Sequence, residues 1–269
     1  MHLVSRALLL TGISVAFSGL SHSARPDTEA LPDPLLALGS ICGQNQTRST
    51  ALPAKFQIAL ASMKMSQVPA GKAPVPLIAG LDKVGLPVTT ANAQAQRYFN
   101  QGLAMTYGFN HDGAIRSFRA AQALDPECAM CFWGEAYAHG PNINAPMDPA
   151  INAQAVAATE RAMALSNRAS QWERDLIGAI ALRYGKAEAD RPALDMAYAQ
   201  AMQRVAAAHP GNDDIAVLAA EAIMDTRPWD YWEADGRTPK GDIGSAIKAV
   251  EGVLSRNPNH PQAIHMYIH

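Results

Sequence analysis

The sequence has few charged and few aromatic residues. Charged residues make up 17% and aromatic residues 6% of the 269 residues, and the formal net charge is -2. Because phosphate binding needs clustered Lys and Arg, this composition argues against DNA or RNA as a main partner. The low charge, combined with 48% hydrophobic residues, also excludes a chain that is disordered throughout. We therefore expect a sizeable hydrophobic core.

Motifs of the common enzyme classes are missing as well. The sequence has no Gly-x-Ser-x-Gly, no phosphate-binding loop and no dinucleotide fingerprint. The separations in space of possible acid–base carboxylates cannot be read from sequence, and we expect most of them to be solvated. These carboxylates include Glu135, Glu173, Glu221 and Asp225. We assign no catalytic residue.

Long apolar runs are scarce, and the chain has one at its N-terminus. Arg6 precedes an apolar stretch over residues 7–20, which is too short to span a bilayer, and small residues follow at 21–24. This order of charge, apolar stretch and small residues is typical of a signal peptide. We predict a signal peptide over residues 1–24, cleaved after Ser23 or Ala24, and a secreted or periplasmic protein. An uncleaved anchor is the alternative. No further transmembrane segment is predicted.

Cysteine is rare, with three residues at Cys42, Cys128 and Cys131. An odd number in an oxidising compartment leaves one thiol without a partner, and we take that one to be Cys42. Cys128 and Cys131 form a Cys-x-x-Cys pair at a predicted helix N-terminus, where thiol pKa values fall. The pair could form a structural disulfide, pack as two small residues, carry redox chemistry or bind copper or zinc. Neighbours that could join such a metal site include Met130, His111 and His139.

Helical periodicity begins at about residue 90. Residues 25–90 are rich in proline and predict an extended arm or linker. Beyond them, Asp125-Pro126 and Asn257-Pro258 mark helix ends, and Pro261 occupies a favourable first position of a helix. Helices are predicted over residues 92–107, 112–124, 129–139, 151–165, 170–184, 192–208, 214–225 and 243–256, and another begins at 261.

One register of large and small residues fits residues 95–128. It consists of Tyr98, Gly102, Met105, Ala114, Phe118, Ala121 and Pro126, which is the pattern of a tetratricopeptide repeat (TPR). Phe132 stands 34 residues after Tyr98, where the next repeat should begin. The predicted fold is therefore all-α: a right-handed stack of about four TPR-like helix pairs over residues 91–269. Such stacks form a concave groove. The predicted groove residues are Phe99, Leu103, Tyr107, Trp133, Tyr137, Trp229, Trp232, His265 and His269.

The sequence stops at His269, within the helix that begins at Pro261. A solenoid ends on a polar capping element, and no such element follows here. We therefore expect the predicted solenoid to be incomplete at its C-terminus, or to receive its cap from a partner.

Several segments together resemble a group of secreted bacterial TPR proteins of greater length. They are GLPVTT at 85–90, FNQGL at 99–103, AIRSFR at 114–119, RPWDYW at 227–232 and HPQAIHMYIH at 260–269. The resemblance covers about residues 80–269 and is most specific at the Pro-Trp-Asp-x-Trp loop and the His-x-x-x-His helix. It implies a helical repeat architecture and export, and it supports a truncated C-terminus. It implies no catalytic residue.

His265 and His269 are four residues apart and share one face of the last helix. This spacing lets two imidazoles bind one metal ion. Met266 stands where a zinc protease would carry Glu, so that class is excluded. The alternative is a pair of groove histidines that bind peptide or pack. A metal site would need a third ligand from elsewhere, and copper, zinc and iron are the candidate ions.

The segment 228–235 is the densest aromatic cluster and contains Trp229, Tyr231 and Trp232. Aromatics next to carboxylates can grip a sugar, a peptide or a cation, and Asn142 and Asn144 could line the same face. The alternative is a long loop that its own tryptophans pin to the helices.

Two functional hypotheses follow. The first is a secreted interaction module that binds an extended peptide or an amphipathic helix in the concave groove, with Trp229 and Trp232 beside it. The second is a metal-binding protein, or a metalloenzyme, in which His265 and His269 converge with other ligands. A thiol-redox role for Cys128 and Cys131 is a third hypothesis.

Overall fold

The computed structural model describes residues 75–185 and 189–269, and these residues form nine α-helices. In chain order the helices are α1 (Ala93–Tyr107), α2 (His111–Leu124), α3 (Ala129–His139), α4 (Asn152–Leu165), α5 (Gln171–Ile180), α6 (Arg191–Ala208), α7 (Asp213–Met224), α8 (Ile243–Arg256) and α9 (Pro261–Ile268). The described residues contain no β-strand beyond two isolated bridges. The predicted all-α class is confirmed.

Polar side chains cap most of these helices. Asn92 accepts hydrogen bonds from the first amides of α1, Asn110 does so for α2, and Asn212 does so for α7. Ser170 and Glu173 form a capping box at the start of α5. Because each cap satisfies amides that have no partner within the helix, these residues fix where the helices begin.

The helices lie close to the predicted spans. The clearest difference is α5, which was predicted to reach residue 184 but ends at Ile180. In the turn that follows the helix, the backbone amides of Leu182 and Arg183 donate to the carbonyls of Ala179 and Ile180, three residues back. This tighter turn ends the α-helix, and the Arg183 side chain that follows is buried in contacts with other parts of the chain.

Each helix from α1 to α8 packs against the next helix along the chain. At the α1–α2–α3 junction the ring of Phe118 is completely buried. A Cβ atom added at Gly102 of α1 would lie 2.7 Å from this ring, and one added at Gly134 of α3 would lie 2.3 Å from it. Both positions therefore need glycine so that the helix backbones can approach Phe118.

The last described helix packs on the first described one. α9 contacts both α1 and α7, and α1 also contacts α3 directly. His265 of α9 donates from Nδ1 to the carbonyl of Tyr107 at 2.6 Å. The Tyr107 hydroxyl in turn donates to Asp214 of α7 at 3.3 Å. These contacts bring the two ends of the described helical region together.

Residues 75–92 lie along α1. The amide of Ile78 donates to Gln101 at 2.7 Å and the amide of Val88 donates to Gln96 at 2.8 Å. Farther along, Thr89 donates from its amide to Glu173 of α5 at 2.6 Å. The predicted signal peptide, Cys42 and most of the predicted arm lie outside the described residues. No helix in the described part of the chain is long and apolar enough to cross a membrane.

Candidate functional site

The predicted groove residues on α1 and α3 are core residues. Phe99, Leu103 and Trp133 have no exposed surface, and Tyr107 and Tyr137 are only 3% and 4% exposed. The cause is packing between the first helices of successive pairs, since α1 contacts α3 and α9, and Trp133 stacks on Tyr137 at 5.3 Å. A ligand that touched these five side chains would have to separate the helices.

A buried polar centre includes Tyr137, one of the predicted groove residues. We define it as Tyr137, Arg183, Tyr198, Glu221 and Asp225, all of which are nearly inaccessible to solvent. The Tyr137 hydroxyl donates to Glu221. Arg183 donates from Nη2 to Asp225 at 2.7 Å, and its guanidinium lies 4.6 Å from the Tyr198 ring centroid.

Burial changes the acidity of this centre. It raises the pKa of Glu221, against the opposing effects of the Tyr137 hydrogen bond and the Arg183 charge. It also raises the pKa of Asp225 well above its ordinary value, again opposed by Arg183. Burial likewise raises the pKa of Tyr137 well above its usual range. Both carboxyls therefore hold a proton more tightly than they would in water, which is the expected effect of desolvation.

The expectation that the four candidate carboxylates are solvated is wrong. Glu135, Glu173, Glu221 and Asp225 are exposed by 7%, 0%, 5% and 6%. Glu173 accepts from Thr89 and from the Ser170 amide. Glu135 accepts from Arg119 and Gln122. These carboxylates bond to neighbouring elements and so contribute to the core.

A second cluster lies at the end of α9. We call it the histidine–aromatic cluster and define it as Phe109, Trp229, His265 and His269. The ring of His269 lies 5.1 Å from that of His265 and 4.9 Å from that of Trp229, centroid to centroid. Phe109 lies 4.5 Å from His265 and 6.3 Å from His269. The pair of histidines was identified from its spacing in the sequence, but the contacts with Phe109 and Trp229 were not predicted.

The two aromatic members of this cluster have an unusual backbone. Phe109 has φ 56° and Trp229 has φ 62°, and they are the two non-glycine residues with positive φ in the described part of the chain. Such conformations cost about 1–3 kcal/mol each and tend to occur at functional sites. Both strained residues contact His269.

Burial next to His265 lowers the pKa of His269 to about 4. The ring of His269 is therefore neutral at neutral pH and carries a lone pair. His265 donates from Nδ1 to the Tyr107 carbonyl, so its neutral form has its lone pair on Nε2.

The other histidines near these helices have structural roles. His111 donates from Nδ1 to the Ala138 carbonyl at 3.0 Å, and its Nε2 lies 3.2 Å from the Asn142 amide. His139 is buried, with Nε2 3.5 Å from Glu135. His260 accepts the Ala263 amide as the N-cap of α9, and its Nε2 lies 3.3 Å from Asp214.

Cys128 and Cys131 are joined by a disulfide, and both are buried. In this form neither sulfur is a thiolate, so metal binding or redox activity would first require reduction. The described residues contain no group of three or more His, Cys, Asp or Glu placed to hold a metal ion. His265 and His269 would therefore be a pair of ligands and not part of a larger set.

The loop over residues 226–242 buries one aromatic side chain and exposes two others. Tyr231 is 4% exposed, whereas Trp229 and Trp232 are 40% and 43% exposed. Trp232 forms an isolated bridge with Pro239, and Lys240 donates its amide to the Tyr231 carbonyl at 2.9 Å. A cavity of about 130 Å³ lies between this loop, α6 and α7, lined in part by Met196, Gln203, Arg227 and Asp242. It is smaller than the roughly 300–1,000 Å³ of drug-sized sites.

An apolar face on α9 is open to solvent. Ile264, Tyr267 and Ile268 are 41%, 59% and 76% exposed. Aligning Asn257-Pro258 with Asp125-Pro126 matches these residues to Phe132, Glu135 and Ala136 of α3. The same register in α1 gives Tyr98, Gln101 and Gly102. The residues of α1 and α3 that correspond to Tyr267 and Ile268 are buried. We call the α9 residues the end face.

Known proteins give no independent guide to this site. No protein-family model matches the chain, and no curated protein or solved structure is significantly similar to it.

Proposed function

We propose that the chain is an exported TPR-like interaction module that binds an amphipathic helical segment on its end face. The observation that carries this proposal is the exposure of Tyr267 and Ile268, at positions that are buried in α1 and α3, next to the exposed Ile264. The sequence register and the packing of helices in consecutive pairs support the TPR-like interpretation. The N-terminal apolar segment supports export to the periplasm or the exterior.

The occupant is a helix because helices cover the equivalent positions. Gln101 of α1 donates to Ser117 of α2 at 3.1 Å. The guanidinium of Arg161 on α4 lies 5.6 Å from the centroid of the Phe132 ring on α3. A helix laid on the end face would bury the i, i+3, i+4 stripe that α9 presents, which is the usual pattern of helix-in-groove recognition.

The chemistry of the end face indicates an apolar partner. Ile264, Tyr267 and Ile268 carry no charge, and Trp229 stands beside the same helix through its contact with His269. Exposed apolar patches on folded proteins commonly mark interaction sites. An acidic or basic tail would find no charged residue within this stripe. We place binding on the end face because five of the predicted groove residues, listed above on α1 and α3, are buried, whereas this face is exposed.

A synthetic peptide with the sequence of residues 152–165 is a suitable probe. In the chain this segment is α4, whose buried stripe contains Ala155, Ala158 and Ala162. We expect saturable binding of the labelled peptide by fluorescence anisotropy. An Ile268→Asp variant should bind about tenfold more weakly or worse, because a buried carboxylate without a partner costs more than about 1.4 kcal/mol.

Two controls make this test specific. A peptide of the same composition, scrambled so that the alanines no longer form one stripe, should not bind. Met163→Asp alters another exposed apolar side chain, on α4 and 44% exposed, and should leave binding unchanged. The absence of saturable binding, or equal affinity in Ile268→Asp, would refute the end face as the docking site.

A further inference from the structure

The histidine–aromatic cluster has the geometry of a two-histidine metal site. His265 and His269 lie one turn apart on α9, with ring centroids 5.1 Å apart. Histidines at this spacing on one helix face can both reach a single ion. Unlike the buried His139 and His260, both rings are partly open to solvent, so an ion can reach them.

The hydrogen bond of His265 orients the ring as a ligand. Its Nδ1 donates to the Tyr107 carbonyl at 2.6 Å, which leaves the Nε2 lone pair available. Metal-bound histidines usually donate their other ring nitrogen to a carbonyl or carboxylate in this way. Tyr107 belongs to α1 and His265 to α9, so this orientation depends on the contact between α1 and α9.

The surroundings of the pair are preorganised and apolar. Phe109 and Trp229 contact the two imidazoles from separate loops, and both hold positive φ angles. An apolar shell limits competition from water and strengthens the bonds between the ion and the ring nitrogens. Strained residues that converge on one pair of side chains are typical of a functional site.

We infer that His265 and His269 bind one late first-row transition-metal ion, with copper(II) held more tightly than zinc(II). Imidazole nitrogen suits these ions, and the general affinity order places copper above zinc. Two ring nitrogens come from the chain, and water or a donor from a bound partner completes the coordination. This site is independent of peptide binding at the end face, although both lie on α9.

The test uses the full chain without a polyhistidine tag, dialysed against copper(II) chloride or zinc(II) chloride. We expect one equivalent of bound metal, and nitrogen hyperfine structure in the electron paramagnetic resonance spectrum of the copper form. His269→Ala and His265→Gln should each weaken binding by about tenfold or more, and the double variant should lose it. His269→Phe keeps a ring in the cluster and should behave like His269→Ala.

The matched control is His209→Ala. His209 lies outside the cluster, where Nε2 bonds to Asp175 at 2.7 Å, and its loss should leave metal affinity unchanged. Circular dichroism and thermal unfolding check that each variant is folded. The inference is overturned if the folded wild-type chain binds no metal at saturation, or if His269→Phe retains wild-type affinity.

Discussion

His265 donates from Nδ1 to the backbone carbonyl of Tyr107 at 2.6 Å, across 158 positions of sequence. The Tyr107 ring also lies 6.3 Å from that of His260 at the start of α9, and both side chains approach Asp214. Asp214 therefore links α1, α7 and α9, because it accepts from Tyr107 and lies beside His260. The contact holds the first and last described helices together and positions one of the proposed metal ligands.

Replacing this acceptor should weaken the junction. We expect Asp214→Ala to lower the free energy of unfolding by about 1–3 kcal/mol, because buried Tyr107 loses its acceptor and His260 loses the carboxylate beside it. Urea denaturation measures this effect. The neighbouring Asp213 pairs with Arg256, whose side chain is 52% exposed, so Asp213→Ala should change stability by no more than about 1 kcal/mol. Equal effects of the two substitutions would contradict the role given to Asp214.

The pair formed by Arg183 and Asp225 should be far more sensitive than a surface pair. Their side chains are 2% and 3% exposed, so Arg183→Met leaves a buried carboxyl without its cation. We expect a loss of about 3–5 kcal/mol in urea denaturation. The double variant Arg183→Met/Asp225→Leu should recover most of this loss, because two apolar side chains can replace a buried ion pair.

A surface pair provides the comparison for this double-variant cycle. Arg168 and Glu127 also contact each other, but their side chains are 55% and 60% exposed. Arg168→Met should therefore cost no more than about 1 kcal/mol. If Arg183→Met proves equally mild, or if the double variant is no more stable than the single one, the buried polar centre is not held by this pair.

The helix spans were predictable because their signals are local. Asn92, Asn110 and Asn212 cap helices from adjacent positions, and the Asp125-Pro126 pair ends one. The packing across the interior was not predictable, because it depends on pairs such as Tyr137 and Glu221, which are 84 positions apart. Periodicity shows which face of a helix is apolar. It does not show whether that face meets a ligand or another helix.

The candidate site was partly predictable for the same reason. The four-residue spacing of His265 and His269 is a local pattern, so the pair could be found in the sequence. Phe109 and Trp229 come from distant loops, and no sequence signal places them beside the histidines. The Tyr107 carbonyl is a backbone atom that any residue would supply, so its role as acceptor has no sequence signature.

Acidification should destabilise the chain partly through His111. Burial lowers the pKa of His111 below its ordinary value of 6.5, with the charges of Arg183 and His139 acting in the same direction. The unfolded chain therefore takes up a proton first as the pH falls. The contribution of neutral His111 to the free energy of unfolding is complete above about pH 6.5 and declines as the pH drops below that value.

The variant His111→Gln isolates this contribution. Glutamine keeps a donor for the Ala138 carbonyl but does not titrate, so the loss of stability between pH 7.5 and pH 5 should be smaller than in the wild type. Urea denaturation at each pH gives the slope of unfolding free energy against pH for the wild type and for the variant. The difference between these two slopes does not depend on any destabilisation that is the same at every pH. Identical slopes would show that His111 does not titrate differently in the folded and unfolded chains.

The fit around Phe118 predicts opposite effects for substitutions at two glycines, Gly134 and Gly178. A Cβ atom at Gly134 would lie 2.3 Å from the Phe118 ring, which also packs closely against Gly102. Gly134→Ala should therefore destabilise the chain by about 1–3 kcal/mol. At Gly178, in α5, a Cβ would meet nothing within 4 Å. There alanine should stabilise the helix by about 0.5–1 kcal/mol, since it lowers the entropy lost on folding. Thermal or urea unfolding of the two variants measures the signs, and a stabilising Gly134→Ala would mean that α1, α2 and α3 do not pack as closely around Phe118 as described.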